Sequence, residues 1–103
     1  MYKAVITGER RAQLVETPVP QPKEDWALVK VHAAPMCTEY KMWLAGKPAD
    51  YLGHEAAGEV VAIAQPGRVA VGDRVVVMPQ YPCGHCALCV AGDYIHCQHC
   101  TDV

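Results

Sequence analysis

The chain has 103 residues, of which 51% are hydrophobic and 19% charged, a balance typical of one small globular domain rather than a disordered segment. The formal net charge is −2 and no run of Lys or Arg occurs, which argues against nucleic acid as a partner. The opening MYKAVITGERR lacks the apolar core of a signal peptide, and no apolar stretch approaches the ~20 residues of a membrane helix. We therefore expect a cytoplasmic chain with no membrane partner.

The N-terminal half alternates short strand patterns with breakers. YKAVIT is rich in β-branched and aromatic residues and is bounded by Gly8. AQLVETPVPQP predicts a proline-punctuated edge or loop, and WALVKVHAA predicts an alternating strand that ends at Pro35. TEYKMWLAG predicts a short helix with Thr38 as its N-cap and Gly46 as its stop.

The C-terminal half begins with further strand patterns. AAGEVVAIA predicts a strand that is broken by the sequence QPG. VAVGDRVVVMP predicts a turn at Gly72–Asp73, followed by a buried strand through Val77. Short strands at this spacing predict a mainly β fold, a small barrel with short helices whose loops carry the chemistry.

Five of the six cysteines lie in the segment PCGHCALCVAGDYIHCQHC. Four of them have the spacing C-x2-C-x2-C-x7-C: Cys83, Cys86, Cys89 and Cys97. Four thiolates at such spacing are typical of a closed, tetrahedral structural zinc site, here in a lobe of about residues 80–100. A bacterial ferredoxin would have its next cysteine after three residues, followed by Pro, and disulfides are rare in a reduced compartment.

Other potential ligands lie close to these cysteines. His85, His96, His99 or Cys100 could each replace one thiolate and give a Cys3His site. Cys97 and Cys100 also form a C-x2-C pair. Because Cys100 lies near the chain end, we predict that it is a spare thiol and not a ligand.

A second candidate site lies in YLGHEAAGEV, where His54 is followed by Glu55. The metalloprotease pattern H-E-x-x-H fails here because position 58 is Gly and the surrounding residues favour a turn into a strand. Taken alone, His54 is more often a structural histidine, and Cys37 is more often an inert core cysteine.

The motifs along the whole chain, taken together, change this interpretation of His54 and Cys37. YKAVIT, Cys37, GHEAAGEV, VGDRV and PCGHCALCVAGDYIHC resemble the N-terminal, GroES-like part of the zinc-dependent medium-chain alcohol and polyol dehydrogenases. The sorbitol and threonine dehydrogenase branch looks nearest. The match runs from residue 1 to about residue 97. The resemblance implies that residues 1–103 form part of a GroES-like barrel, incomplete relative to the full family domain.

The resemblance also implies a catalytic zinc held by Cys37 and His54, with Glu55 beside the metal and able to enter its coordination sphere. Thr38 is the candidate for the hydroxyl that relays the alcohol proton. In the family, that Ser or Thr lies two residues past the cysteine and an Asp lies three past it. Here the sequence is CTEY, so Thr38 comes one residue early and Tyr40 replaces the Asp. A helix N-cap is the alternative role for Thr38.

Zinc in such a site acts as a Lewis acid that lets an alkoxide release hydride to NAD(P). No Gly-rich dinucleotide fingerprint occurs in the 103 residues, so the family's Rossmann domain and third zinc ligand would lie beyond Val103. We therefore expect the substrate-side part of an alcohol or polyol dehydrogenase, inactive alone and homo-oligomeric at full length. The alternative is a truncated, non-catalytic zinc module with a structural or partner-binding role.

Overall fold

Seven strands, two short α-helices and one 3-10 helix make up the part of the chain that the computed structural model describes, residues 1–102. The strands are β1 (Tyr2–Gly8), β2 (Arg11–Glu16), β3 (Ala27–Ala33), β4 (Ala56–Ile63), β5 (Arg74–Val77), β6 (Gln80–Tyr81) and β7 (Thr101–Asp102). The helices are α1 (Tyr40–Leu44), α2 (Ala87–Val90) and the 3-10 helix Tyr94–His96. The predicted mainly β fold with short helices is confirmed.

The described strands form three separate antiparallel sheets. β1 pairs with β2, β4 lies between β3 and β5, and β6 pairs with β7. Within residues 1–102 these sheets do not join into one continuous barrel wall. This arrangement agrees with the incomplete barrel that the sequence predicted.

The β1–β2 hairpin supports the segment that leads into the candidate site. Its turn places Arg10 at a φ of 54°, and the backbone N–H of Arg10 donates to the Trp43 carbonyl at 2.8 Å. Ile6 is only 5% exposed, and its backbone N–H donates to the Ala49 carbonyl at 3.1 Å. The hairpin is thereby joined to both α1 and the loop before β4.

β4 is the most buried strand because it is paired on both sides. Val60 is 1% exposed, and Gly58 lies opposite Val31 in the β3–β4 ladder. The register shifts twice along β3, between Leu28 and Val29 and between Val31 and Ala33. These irregularities interrupt the strict alternation predicted for β3.

The turn predicted at Gly72–Asp73 is confirmed, but the prediction of a buried strand after it is wrong. Gly72 has a φ of 97°, and Asp73 Oδ2 accepts a hydrogen bond from the Ala70 N–H at 2.8 Å. β5 is an edge strand, paired only with β4 among the described residues, and Val76 is 79% exposed. A run of valines is typical of a strand, but it does not show whether a second layer covers it.

The helix predicted after Pro35 is present, but its N-cap differs from the prediction. α1 begins at Tyr40, so Glu39 and not Thr38 occupies the N-cap position, and no side chain caps the helix. The Thr38 carbonyl instead accepts from the Lys41 N–H at 3.0 Å. The predicted stop is confirmed, since Gly46 follows the helix at a φ of 64°, a conformation that favours glycine.

The described chain is unusually open for its size. Its accessible surface is 7756 Å², whereas a compact monomer of 11.2 kDa exposes about 5,700 Å². Its radius of gyration is 15.4 Å, against about 13 Å for a compact chain of this length. Leu14 and Val90 are among the large apolar side chains left exposed. Over residues 1–102, no helix is long and apolar enough to cross a membrane.

Candidate metal centres

The cysteine-rich segment folds into a small lobe, here called the cysteine lobe (residues 80–100). The antiparallel pair β6–β7 joins its two ends, with Tyr81 opposite Thr101. The Tyr81 ring packs against Trp26 with a centroid distance of 5.7 Å, which attaches the lobe to the residues just before β3. Gly84 and Gly92 adopt φ values of 78° and 86° and allow the two tight turns inside the lobe.

The lobe brings four thiols to one point. The Sγ atoms of Cys83, Cys86, Cys89 and Cys97 all lie within 4.8 Å of one another. Three of the thiols accept hydrogen bonds from cysteine backbone N–H groups: Cys83 N–H donates to Cys97 Sγ at 3.3 Å, Cys86 N–H to Cys83 Sγ at 3.4 Å, and Cys89 N–H to Cys86 Sγ at 3.5 Å. These four donors fit the set that zinc prefers in closed structural sites.

The backbone around the thiols favours thiolate formation at two of them. The Cys89 N–H, donating to Cys86 Sγ at 3.5 Å, is the main cause that lowers the pKa of Cys86 to about 6. The Cys83 N–H lowers the pKa of Cys97 in the same way. Burial is the main cause that raises the pKa of Cys89 to about 12, and its contacts with the neighbouring thiols raise it further. A divalent metal bound at this point would supply the positive charge that holds all four cysteines as thiolates.

The other potential ligands of the lobe lie outside this group. His85 Nδ1 is 2.8 Å from the Cys83 carbonyl oxygen, and His96 Nε2 is 4.0 Å from Asp93 Oδ1. Neither His99 nor Cys100 belongs to the cluster formed by residues 1–102. The geometry therefore favours four sulfurs over a Cys3His set.

A second cluster joins a thiol, a carboxylate and an imidazole. One donor atom each from Cys37, Glu39 and His54 lies within 4.8 Å of the other two. The β3–β4 pairing explains this meeting: Ala33 lies opposite Ala57, so the chain leaving β3 and the chain entering β4 are at the same end of the sheet. Cys37 follows Ala33 by four positions, and His54 precedes Ala57 by three.

Glu39 is the member of this cluster that the sequence did not identify. It is 8% exposed, and its Oε1 lies 2.6 Å from His54 Nδ1, so the buried carboxylate is paired with the imidazole. Burial raises the pKa of its carboxyl, but the nearby backbone N–H of Glu39 and the charge of His54 lower it more. The net pKa is below its ordinary value, so the carboxylate is ionised at neutral pH. An acidic residue two positions after Cys37 was the one available signal.

The remaining predicted site residues lie beside this cluster. Glu55 is half-buried and adjoins His54 in sequence, but its carboxylate is not one of the three grouped donors in the described chain. Thr38 is exposed and lines a cleft of about 500 Å³. Glu39 and His54 line the same cleft, together with polar groups from Asp50, Tyr51 and Gln80.

Residues 23–102 match the family described as the alcohol dehydrogenase GroES-like domain. The sorbitol dehydrogenase of Bombyx mori is 34% identical over 106 residues, covering 93% of this chain and 30% of that protein. The L-threonine 3-dehydrogenase of Pyrococcus horikoshii is 41% identical over 98 residues, covering 85% of this chain and 28% of that protein. The chain thus spans under a third of the length of these relatives.

Solved structures show the same likeness in three dimensions. An alcohol dehydrogenase from Thermus superposes with a TM-score of 0.82 at 30% identity, over 99% of this chain and 31% of that one. A putative zinc-binding dehydrogenase from Sinorhizobium meliloti, bound to NADP, superposes with a TM-score of 0.76 at 28% identity. That match covers 99% of this chain and 31% of the neighbour.

Proposed function

The chain belongs to the alcohol dehydrogenase GroES-like domain family, and on this premise we propose that it is the N-terminal, substrate-side portion of a zinc-dependent, NAD(P)-dependent alcohol or polyol dehydrogenase. The observation that carries the proposal is the second donor cluster, in which Cys37 and His54 meet although they are far apart in sequence. A purely structural zinc module needs only the cysteine lobe. A separate cluster beside an open cleft is what a catalytic metal requires.

The donor set of this cluster fits zinc, which takes thiolate, imidazole and carboxylate ligands. Zinc bound there would supply Lewis-acid chemistry, lowering the pKa of an alcohol so that its hydride can pass to a nicotinamide. Cys37 and His54 hold the metal in this proposal, and Glu55 is near enough in sequence to take part. Thr38, exposed on the cleft wall, is the hydroxyl that passes the substrate proton outward.

The cleft favours a small substrate with several hydroxyl groups. Asp50 and Gln80 line it beside Thr38 and offer hydrogen-bond donors and acceptors to such a molecule. Asp50 pairs with Lys3 at the surface, where Lys3 Nζ lies 2.7 Å from Asp50 Oδ2. We propose an alcohol or polyol as the substrate class, in line with the sorbitol dehydrogenase and the threonine dehydrogenase that the chain resembles.

The domain organisation, the oligomeric state and the cellular location are proposals as well. Residues 1–103 form one unit of the GroES-like domain, with the structural zinc lobe at about residues 80–100. The nicotinamide binds a Rossmann domain elsewhere in the full-length, homo-oligomeric enzyme. We also propose a cytoplasmic location, where thiols stay reduced and the four-thiol cluster can bind metal.

Metal analysis tests the proposed second site. The purified chain should bind two zinc ions, one in the cysteine lobe and one at Cys37 and His54. Cys37→Ser and His54→Asn should each reduce the count to one, because each removes a donor of the second site only. Inductively coupled plasma mass spectrometry after gel filtration gives the count. One zinc ion in the wild-type chain would contradict the catalytic proposal and favour the non-catalytic zinc module.

The isolated chain should show no nicotinamide reduction. With zinc, NAD or NADP, and a panel of alcohols and polyols, we expect no change in absorbance above the enzyme-free rate. The reason is that no Gly-rich dinucleotide fingerprint occurs in the sequence to bind the hydride acceptor. Turnover by the 103-residue chain would contradict this expectation.

A further inference from the structure

The two residues of strand β6 face different neighbours. The Tyr81 ring packs against Trp26 with a centroid distance of 5.7 Å, and the Tyr81 hydroxyl lies 3.4 Å from Asp25 Oδ2. Successive side chains of a strand point to opposite faces of its sheet. Gln80, the other residue of β6, lines the cleft of about 500 Å³ that contains His54. The alternation of the strand therefore turns the Gln80 amide toward the candidate catalytic site.

The surroundings of Gln80 hold it in place at the cleft wall. Gln80 is half-buried and lies opposite Asp102 in the β6–β7 pair. The contact of Tyr81 with Trp26 attaches the same strand to the residues before β3. A side chain on a paired strand is positioned more precisely than one on a loop. The Gln80 amide can therefore contact a bound molecule without prior ordering of its backbone.

The charged side chains of the cleft already have partners. Glu39 Oε1 lies 2.6 Å from His54 Nδ1, and Asp50 pairs with Lys3 at the surface. Among the described residues that line the cleft, there is no Lys or Arg to pair with a phosphate or a carboxylate of a substrate. Because an unpaired charge is costly to bury, this lining favours an uncharged substrate.

The side-chain amide of Gln80 is suited to bind hydroxyl groups. Its carbonyl oxygen accepts hydrogen bonds and its NH2 group donates two, whereas a hydroxyl group both donates and accepts. A site that hydrogen-bonds a hydroxyl group of its substrate discriminates against an analogue without that group, because the polar group of the site is then left unpaired. The amide thus offers a means of distinguishing a polyol from an alcohol with one hydroxyl group.

We propose that Gln80 is a specificity-determining residue: its side-chain amide hydrogen-bonds hydroxyl groups of the substrate beyond the reacting carbon, so that the cleft selects a polyol. The inference rests on the proposed function, since it concerns the substrate of the same site. It also gives the cysteine lobe a part in substrate selection, because β6 is one end of that lobe.

Nuclear magnetic resonance of the zinc-loaded 103-residue chain tests the assignment. The sequence has five glutamines and no asparagine, so the side-chain NH2 signals are few and can be assigned by substitution. Xylitol is titrated into the chain and compared with 1-pentanol, which has the same carbon chain but a single hydroxyl group. We expect xylitol to shift the Gln80 NH2 signals and 1-pentanol to leave them unchanged.

Variants of Gln80 measure the contribution of the amide to binding, with the backbone amide shift of Tyr51 in the same cleft as the reporter. Gln80→Met keeps the length of the side chain but removes the amide. We expect it to weaken xylitol binding by about threefold to tenfold, the effect of one neutral hydrogen bond, and to leave 1-pentanol binding within about twofold. Gln80→Glu should retain the preference for xylitol, because a carboxylate accepts hydrogen bonds from hydroxyl groups.

Gln13→Met is the matched control. Gln13 is also a strand residue, but it is exposed on β2 and does not line the cleft. It should bind both probes as the wild type does. If Gln80→Met loses the lobe zinc and fails to fold, the NH2 signals of Gln80 in the wild type decide the question.

The outcomes separate the failure of this inference from the failure of the proposed function. Unchanged Gln80 NH2 signals at saturating xylitol would overturn the inference, and so would equal xylitol affinities of Gln80→Met and the wild type. The absence of any xylitol-induced shift in the cleft would overturn it as well. The zinc content of the same sample tests the proposed function independently, since one zinc ion per chain contradicts that function whatever the two probes do.

Discussion

Replacing Cys97 with serine should abolish tight zinc binding by the cysteine lobe and unfold residues from about 80 to 100. Cys97 is 9% exposed, and its Sγ accepts hydrogen bonds from the Cys83 and His99 N–H groups, both at 3.3 Å. The lobe has two short helical segments and a two-residue strand pair, and so has little else to hold it together. In small zinc peptides the metal contributes about 10 kcal/mol or more of folding free energy.

The measurement is the zinc content of the chain together with its thermal unfolding, with and without a chelator. We expect Cys97→Ser to lose the lobe zinc and to unfold at the temperature of the chelated wild type. Cys100→Ser is the matched control, three residues away and outside the four-thiol cluster. It should keep both the zinc and the unfolding temperature, and a loss of lobe zinc in Cys100→Ser would show that the wrong thiols were assigned.

Substituting Gly58 with alanine should destabilise the chain by about 3 kcal/mol or more, at the upper end of overpacking effects. A Cβ at this position would lie 2.2 Å from the Lys30 carbonyl oxygen and 2.8 Å from Val29 Cγ1. The first of these atoms is backbone of the paired strand β3, so the clash is relieved only by separating β3 from β4. These two strands belong to the three-stranded sheet, the largest among the described residues, and fix the ends that carry Cys37 and His54.

Thermal unfolding followed by circular dichroism gives the cost. A loss of about 3 kcal/mol corresponds to a fall of at least about 12 °C in Tm for a domain of this size. Gly67→Ala is the matched control, because no atom lies within 4 Å of a Cβ built there and Gly67 does not have a positive φ. It should stay within about 0.5 kcal/mol of the wild type. Equal Tm values for the two variants would contradict the close approach of β3 and β4.

Much of the fold was predictable because its signals are local. Strand patterns, the turn at Gly72–Asp73 and the helix stop at Gly46 depend on a few neighbouring residues, and each was confirmed. The comparisons also confirm the resemblance to zinc-type alcohol and polyol dehydrogenases. The exposure of Val76 was not predictable, because it depends on whether another layer covers β5 and not on the valines themselves.

The two candidate sites differ in how far the sequence could define them. The four thiols of the cysteine lobe lie within fifteen consecutive residues, so their spacing alone predicted that they meet at one metal site. Cys37 and His54 were paired through the resemblance, since their separation in sequence says nothing about their separation in space. Their juxtaposition follows from the β3–β4 register, which sets Ala33 opposite Ala57.

The sequence by itself determined the mainly β fold, the family resemblance and the four-thiol lobe, because these depend on short patterns and fixed spacings. The tertiary structure alone decided the place of Glu39. A glutamate in the first turn of a predicted helix is ordinarily exposed, but α1 begins one residue late and the Glu39 carboxylate is buried against His54. The inward turn of one carboxylate depends on strand pairing and packing, which no local pattern encodes.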